Sequence, residues 1–115
     1  MGLLGKLIGK KSEPKHEECV LVYLDGTNLP DEVYQDYDLS TLEDQLIEAI
    51  TSKDAGEFDG NEIGPEATTL YTYGPDADRL YAAMEPVLKS YPLCKKARVV
   101  IRKGGPGSPQ NELQL

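Results

Sequence analysis

Cys19-Val20-Leu21-Val22-Tyr23-Leu24, closed by Asp25-Gly26, is the stretch on which the fold turns. An unbroken apolar run of this length, rich in β-branched residues and bounded by turn chemistry, is too short for a buried helix and reads as a central strand. Upstream, residues 9–18 are polar and contain Pro14, a linker composition. Downstream, Asp25 to Asp38 reads as a long acidic loop holding Asn28, Pro30, Tyr34 and Tyr37. Loops of that length are uncommon in small domains and often carry function.

Beyond the loop, Leu39, Leu42, Leu46, Ile47 and Ile50 recur on one helical face, and Ser40 with Glu43 has capping-box spacing. Glu57-Phe58-Asp59 predicts a short strand, and Gly60-Asn61-Glu62-Ile63-Gly64-Pro65 supplies turn residues. Ala67 to Tyr73 alternates as a half-buried strand does, with Tyr71 and Tyr73 on a common face. After Gly74-Pro75, with the proline expected in a first helical turn, a second helix places Leu80, Met84, Val87 and Leu88 together. Pro86 is expected to kink it. Ala97 to Arg102 predicts an edge strand guarded by charge, and Gly104-Gly105-Pro106-Gly107-Ser108-Pro109 opens a flexible tail.

The order βαββαβ predicts an α+β, ferredoxin-like two-layer sandwich, with an antiparallel sheet in spatial order 4-1-3-2 and two helices on one face. The domain is expected over residues 19–103, between an amphipathic N-terminal segment and linker (1–18) and a tail (104–115). Cys19 and Cys94 then sit on the order of 15 Å or more apart, too far for a disulfide, and read as free thiols of a reducing, cytoplasmic setting.

Charge is segregated along the chain. Residues 17–85 hold eighteen of the twenty acids but only Lys53 and Arg79 as bases, a formal charge of −16, while residues 1–16 carry +3 and residues 86–115 carry +5. Such a field attracts basic surfaces and repels nucleic-acid phosphates and anionic headgroups. In the expected topology Asp25, Asp31, Glu32, Asp36, Asp38, Asp59, Glu62 and Glu66 gather at one end of the sheet, countered only by Lys95 and Lys96. Arg102 and Lys103 lie at the other.

The catalytic inventory is thin. His16, the single histidine, lies in the linker, so neither a Cys-His nor a Ser-His-Asp arrangement can be built on the fold. None of the acids lies in an apolar run that would raise its pKa for acid-base work. Asp59-Gly60-Asn61-Glu62 has oxygen ligands beside a glycine but not the register of an EF-hand, so no metal is expected, and no cofactor.

Val22-Tyr23-Leu24-Asp25-Gly26-Thr27-Asn28-Leu29-Pro30 resembles the first-strand motif of RNA-recognition motifs with an insertion, and Tyr71 and Tyr73 stand where stacking aromatics would be required. The third strand lacks the basic residue and glycine of that family, and the charge opposes phosphate, so no nucleic-acid partner is expected. Gly56 to Gly64 followed by Tyr71-Thr72-Tyr73-Gly74-Pro75-Asp76-Ala77-Asp78 resembles small bacterial proteins of unknown function. In size and acidity, though not in motif, the chain is similar to immunity proteins and other acidic inhibitors of basic nucleases.

At the N-terminus Leu3, Leu4, Leu7 and Ile8 form an apolar stripe flanked by Lys6, Lys10 and Lys11, suited to docking on an anionic membrane or a partner groove. Seven tyrosines and no tryptophan are the remaining signal, since tyrosine is enriched at interfaces. The sequence reading is a non-enzymatic, acidic, cytoplasmic protein-binding module, with an inhibitor or immunity protein for a toxin or nuclease as one concrete form. Its expected site comprises Asp25, Asp31, Glu32, Tyr34, Asp36, Tyr37, Asp59 and Glu62, set against a basic protein surface. The alternatives are a peripheral inner-membrane adaptor held by residues 3–11 and a small-molecule or metal-sensing domain. Oligomeric state is left open.

Overall fold

The apolar run forms β1 (Glu18–Asp25), in which Val20, Val22 and Leu24 turn into the core. In the computed structural model, which describes residues 17–115, β1 is followed by α1 (Asp31–Asp36), α2 (Leu39–Ser52), β2 (Glu57–Ile63) and β3 (Ala67–Gly74). Then come α3 (Ala77–Ser90), a 3-10 turn (Pro92–Cys94), β4 (Arg98–Arg102) and β5 (Gln110–Gln114). The expected amphipathic segment with Leu3, Leu4, Leu7 and Ile8, like His16, lies outside the described residues.

All strand pairings are antiparallel, and the sheet order is β2-β3-β1-β4-β5. This corrects the expected ferredoxin-like sheet of order 4-1-3-2 with two helices: among the described residues five strands form, and three α-helices accompany them. The added strand, β5, lies in the stretch read as a flexible tail. Gln110-Asn111-Glu112-Leu113-Gln114 has a single apolar residue and follows a Gly-Pro-rich turn, so its pattern carries little strand signal. What holds it is the backbone of β4, whose outer edge it pairs from Arg102↔Gln110 to Arg98↔Gln114. β4, expected as an edge, is therefore an interior strand.

The acidic loop likewise contains α1. Pro30 stands just before the helix, and Asp31 and Glu32 occupy its first turn, where the helix dipole favours negative charge. In α2, Leu42, Leu46 and Ile50 are buried, whereas Ile47 is turned outward. The helix starts at Leu39 with Asp38 at its cap, two residues before the expected Ser40, so no capping box forms. The Ser40 hydroxyl instead donates to Asp38 Oδ2 at 2.7 Å, and Glu43 accepts from the Asn61 side chain on β2.

β2 extends beyond the expected three residues and is bulged between Phe58 and Gly60, where Gly60 takes a φ of +123°. Pro75 precedes the cap of α3, not its first turn, and Asp76 caps the helix by accepting from the backbone N–H groups of Asp78 and Arg79. Leu80, Met84 and Leu88 of α3 complete a core with α2, Val20, Val22, Leu70 and Val99. Thr72 is the one buried polar side chain among the described residues, and its hydroxyl donates to the Val20 carbonyl at 2.8 Å.

Candidate functional site

β1 runs antiparallel to β3, and β3 to β2, so the ends of β1 and β2 lie together at one end of the sheet. There the residues after Leu24 build a cleft of about 410 Å³, lined by Leu24, Asp25, Tyr34, Tyr37, Asp38, Leu39, Leu93 and the Gly64-Pro65 turn. The local chain explains its shape. Asp25 Oδ1 accepts the backbone N–H groups of Thr27 and Asn28, both at 2.9 Å, which reverses the chain directly after the strand. Those two bonds, Thr27's foremost, hold the Asp25 carboxyl below its ordinary range.

Tyr34 closes the loop from α1. Its hydroxyl donates to the Asp25 carbonyl at 2.9 Å and accepts from the Leu29 N–H at 3.1 Å. Tyr37 is 39% exposed and meets Tyr91 edge to face, with ring centroids 5.6 Å apart. The Tyr91 hydroxyl donates to the Asp38 carbonyl at 2.8 Å. Hydroxyl bonds from Thr41 and Ser40 keep the Asp38 carboxyl below the usual range as well. Asp31, Glu32 and Asp36 are exposed on α1 beside this cleft.

Of the expected site residues, Asp25, Tyr34 and Tyr37 line the cleft, and Asp31, Glu32 and Asp36 stand on the adjoining helix. Glu62 lies on the sheet face turned from the helices, where it accepts the Tyr71 hydroxyl at 2.7 Å and helps push the Tyr71 pKa up to about 12. Asp59 is at the β2 bulge, between the registers of Val20 and Leu21, well back from the cleft. Acids also occupy the opposite end: Glu18 accepts the Ala77 N–H there, beside Asp76 and Asp78. The sequence placed Asp38 at this end of the sheet, as found, but its spacing had no means of finding Tyr91 and Leu93 as cleft residues, because the Tyr37–Tyr91 contact joins segments far apart in the chain.

A larger groove of about 620 Å³ runs between the C-terminal half of α3 and β5. Leu88, Cys94, Leu113 and Leu115 form its floor, and Tyr81, Lys89 and Lys95 its rim. The Lys89 ammonium is held by Glu85 at 2.8 Å. Burial pushes the Cys94 thiol up to about 12, so at neutral pH it is a protonated apolar lining group and not a nucleophile. Cys94 and Cys19 are both free and flank opposite ends of β4.

Among the described residues no group of three or more His, Cys, Asp or Glu side chains converges to hold a metal ion. No described helix is long and apolar enough to cross a membrane. No protein-family profile, curated protein or solved structure matches the chain.

Proposed function

We propose that this chain is a non-enzymatic protein-binding module that receives a basic protein surface at the cleft beside α1, in the cytoplasm. The observation that carries the reading is the joining of an exposed aromatic, Tyr37, to the two carboxylates of Asp25 and Asp38 around one apolar-floored cleft. Their local hydrogen bonds favour the ionised form of both acids. A lysine or arginine side chain fits this chemistry: the aliphatic stem lies against Leu24 and Leu93, and the cationic head meets the Tyr37 ring and the carboxylates. Asp31, Glu32 and Asp36 on α1 supply long-range attraction, which acts on the rate of encounter more than on lifetime. Occlusion of the basic active surface of a toxin or nuclease is one form this takes, and two free cysteines fit the reducing compartment it implies.

The test compares the wild-type chain with D31K/E32K/D36K and with Tyr37→Ala against a partner captured at low salt. Charge reversal is expected to slow association at least tenfold, with little change in off-rate, while Tyr37→Ala speeds dissociation. Association rates unaffected by the triple reversal overturn the reading.

The groove between α3 and β5 favours a second reading, a small-molecule-sensing domain, because its volume and apolar floor fall in the range of small-ligand sites. A Leu88→Trp or Leu113→Trp substitution that leaves binding of every tested ligand intact removes it.

A further inference from the structure

The helices cover one face of the sheet, and the other face has a charge pattern that matches itself. On that face the cross-strand register aligns Glu57, Tyr73, Cys19 and Arg102 in one row. Four residues further along β1, a parallel row aligns Glu62, Thr69, Tyr23 and Arg98. Between them lie Tyr71, Leu21 and Val100. Acid therefore stands on β2 at both rows and arginine on β4 at both rows, with tyrosines and apolar side chains in the middle; beyond β4, Glu112 of β5 lies in the middle row and pairs with Arg98, which it shares with any partner acid. The centre is close-packed, with Val100 only 3% exposed and Arg98 lying 4.2 Å over the Tyr23 ring.

We propose that this face is an isologous dimer surface whose occupant is a second copy of the chain. A two-fold axis lying in the interface, parallel to the strands and between β1 and β3, sets β2 over the partner's β4 and β3 over the partner's β1. Each row then superposes on itself. Glu57 faces Arg102 of the partner subunit, Glu62 faces Arg98 of the partner subunit, and the tyrosine bands of the two copies meet between these charges. An isologous contact requires that the same patch complement itself, and the acid-to-base order across the rows satisfies that requirement. A uniformly basic partner, in contrast, gains nothing on the arginine side and is better served by the cleft beside α1. Aligned sheets packed face to face cross at about 30°, an angle that keeps the central rows in reach of one another.

Sedimentation equilibrium of the full-length chain at protein concentrations from micromolar to one hundred micromolar tests this. The expected result is a dimer that dissociates on dilution. R98E/R102E and E57R/E62R are each expected to raise the dissociation constant at least tenfold, and an equimolar mixture of the two to recover the dimer mass. Recovery also shows that both variants fold. A wild-type chain that stays monomeric throughout overturns the proposal, as do charge variants that remain dimeric or a mixture that stays monomeric.

Discussion

The Tyr34 hydroxyl sits between two backbone groups of its own loop, donating to the Asp25 carbonyl and accepting from the Leu29 N–H. This ties α1 to the end of the central strand, so the cleft depends on one phenolic oxygen. Tyr34→Phe leaves the ring in place and strips both bonds. It is expected to cost about 1–3 kcal/mol, because the half-buried Leu29 N–H and Asp25 carbonyl lose a shared partner. Urea denaturation of the two chains measures it, and a loss under a few tenths of a kcal/mol contradicts the role.

Acid should weaken the same region. The Asp25 and Asp38 carboxyls are held below the ordinary value of 3.8, so the stability they contribute is present above that pH and is lost as pH falls through their lowered values. Asp25→Asn removes one of these ionisations, and its stability is expected to fall less steeply below pH 3.8 than that of the wild type. Parallel acid limbs in melting experiments contradict it.

Alkali acts through Cys94. Its thiol is raised from 9.0 to about 12 by burial, so folding stability is full below pH 9 and declines as the pH climbs toward 12, where only the unfolded chain readily ionises. The Cys94→Ala variant is expected to start from lower stability at pH 7, by about 1–2 kcal/mol for the lost packing, and to show a flatter decline above pH 9.

Removing residues 110–115 takes away β5 together with the half-buried Leu113 and Leu115, and it exposes the outer edge of β4. The truncated chain is expected to lose about 2–4 kcal/mol and to self-associate through the bared strand. Chemical denaturation and light scattering report the two effects separately.

Pro86 stands inside α3, on its exposed side, where the ring denies the helix one internal hydrogen bond. Pro86→Ala restores the donor at a position with no burial to disturb. A gain of about 1 kcal/mol or more in unfolding free energy is expected.

The legible parts of the fold were those with strong periodicity. β1 announced itself as an unbroken apolar run, α2 and α3 as 3.6-residue stripes, and β3 as an alternation. β5 and α1 were not legible, for different reasons. β5 is a polar strand specified by the edge it pairs with, a tertiary cause that leaves no local pattern. α1 is a six-residue helix with no fully buried residue, below the length at which periodicity can be read. The cleft was half legible: the sequence pointed to Asp25, Tyr34 and Tyr37, but their partner Tyr91 is brought in by the far end of α3. Asp59 was misplaced because the β2 strand continues past it through a bulge, where a turn was expected.

Of the described strands, the central one is also the first synthesised. β1 finds its neighbours in β3 and β4, both made after it, and β4 in turn waits for β5. As the chain leaves the ribosome, its most apolar segment must therefore stay unpaired while α1, α2 and β2 emerge, a window in which a chaperone has a ready target. Slowing translation ahead of Ala67 would lengthen that exposure, whereas slowing it once Gly74 has cleared the ribosome would find β1 already matched along its whole length by β3.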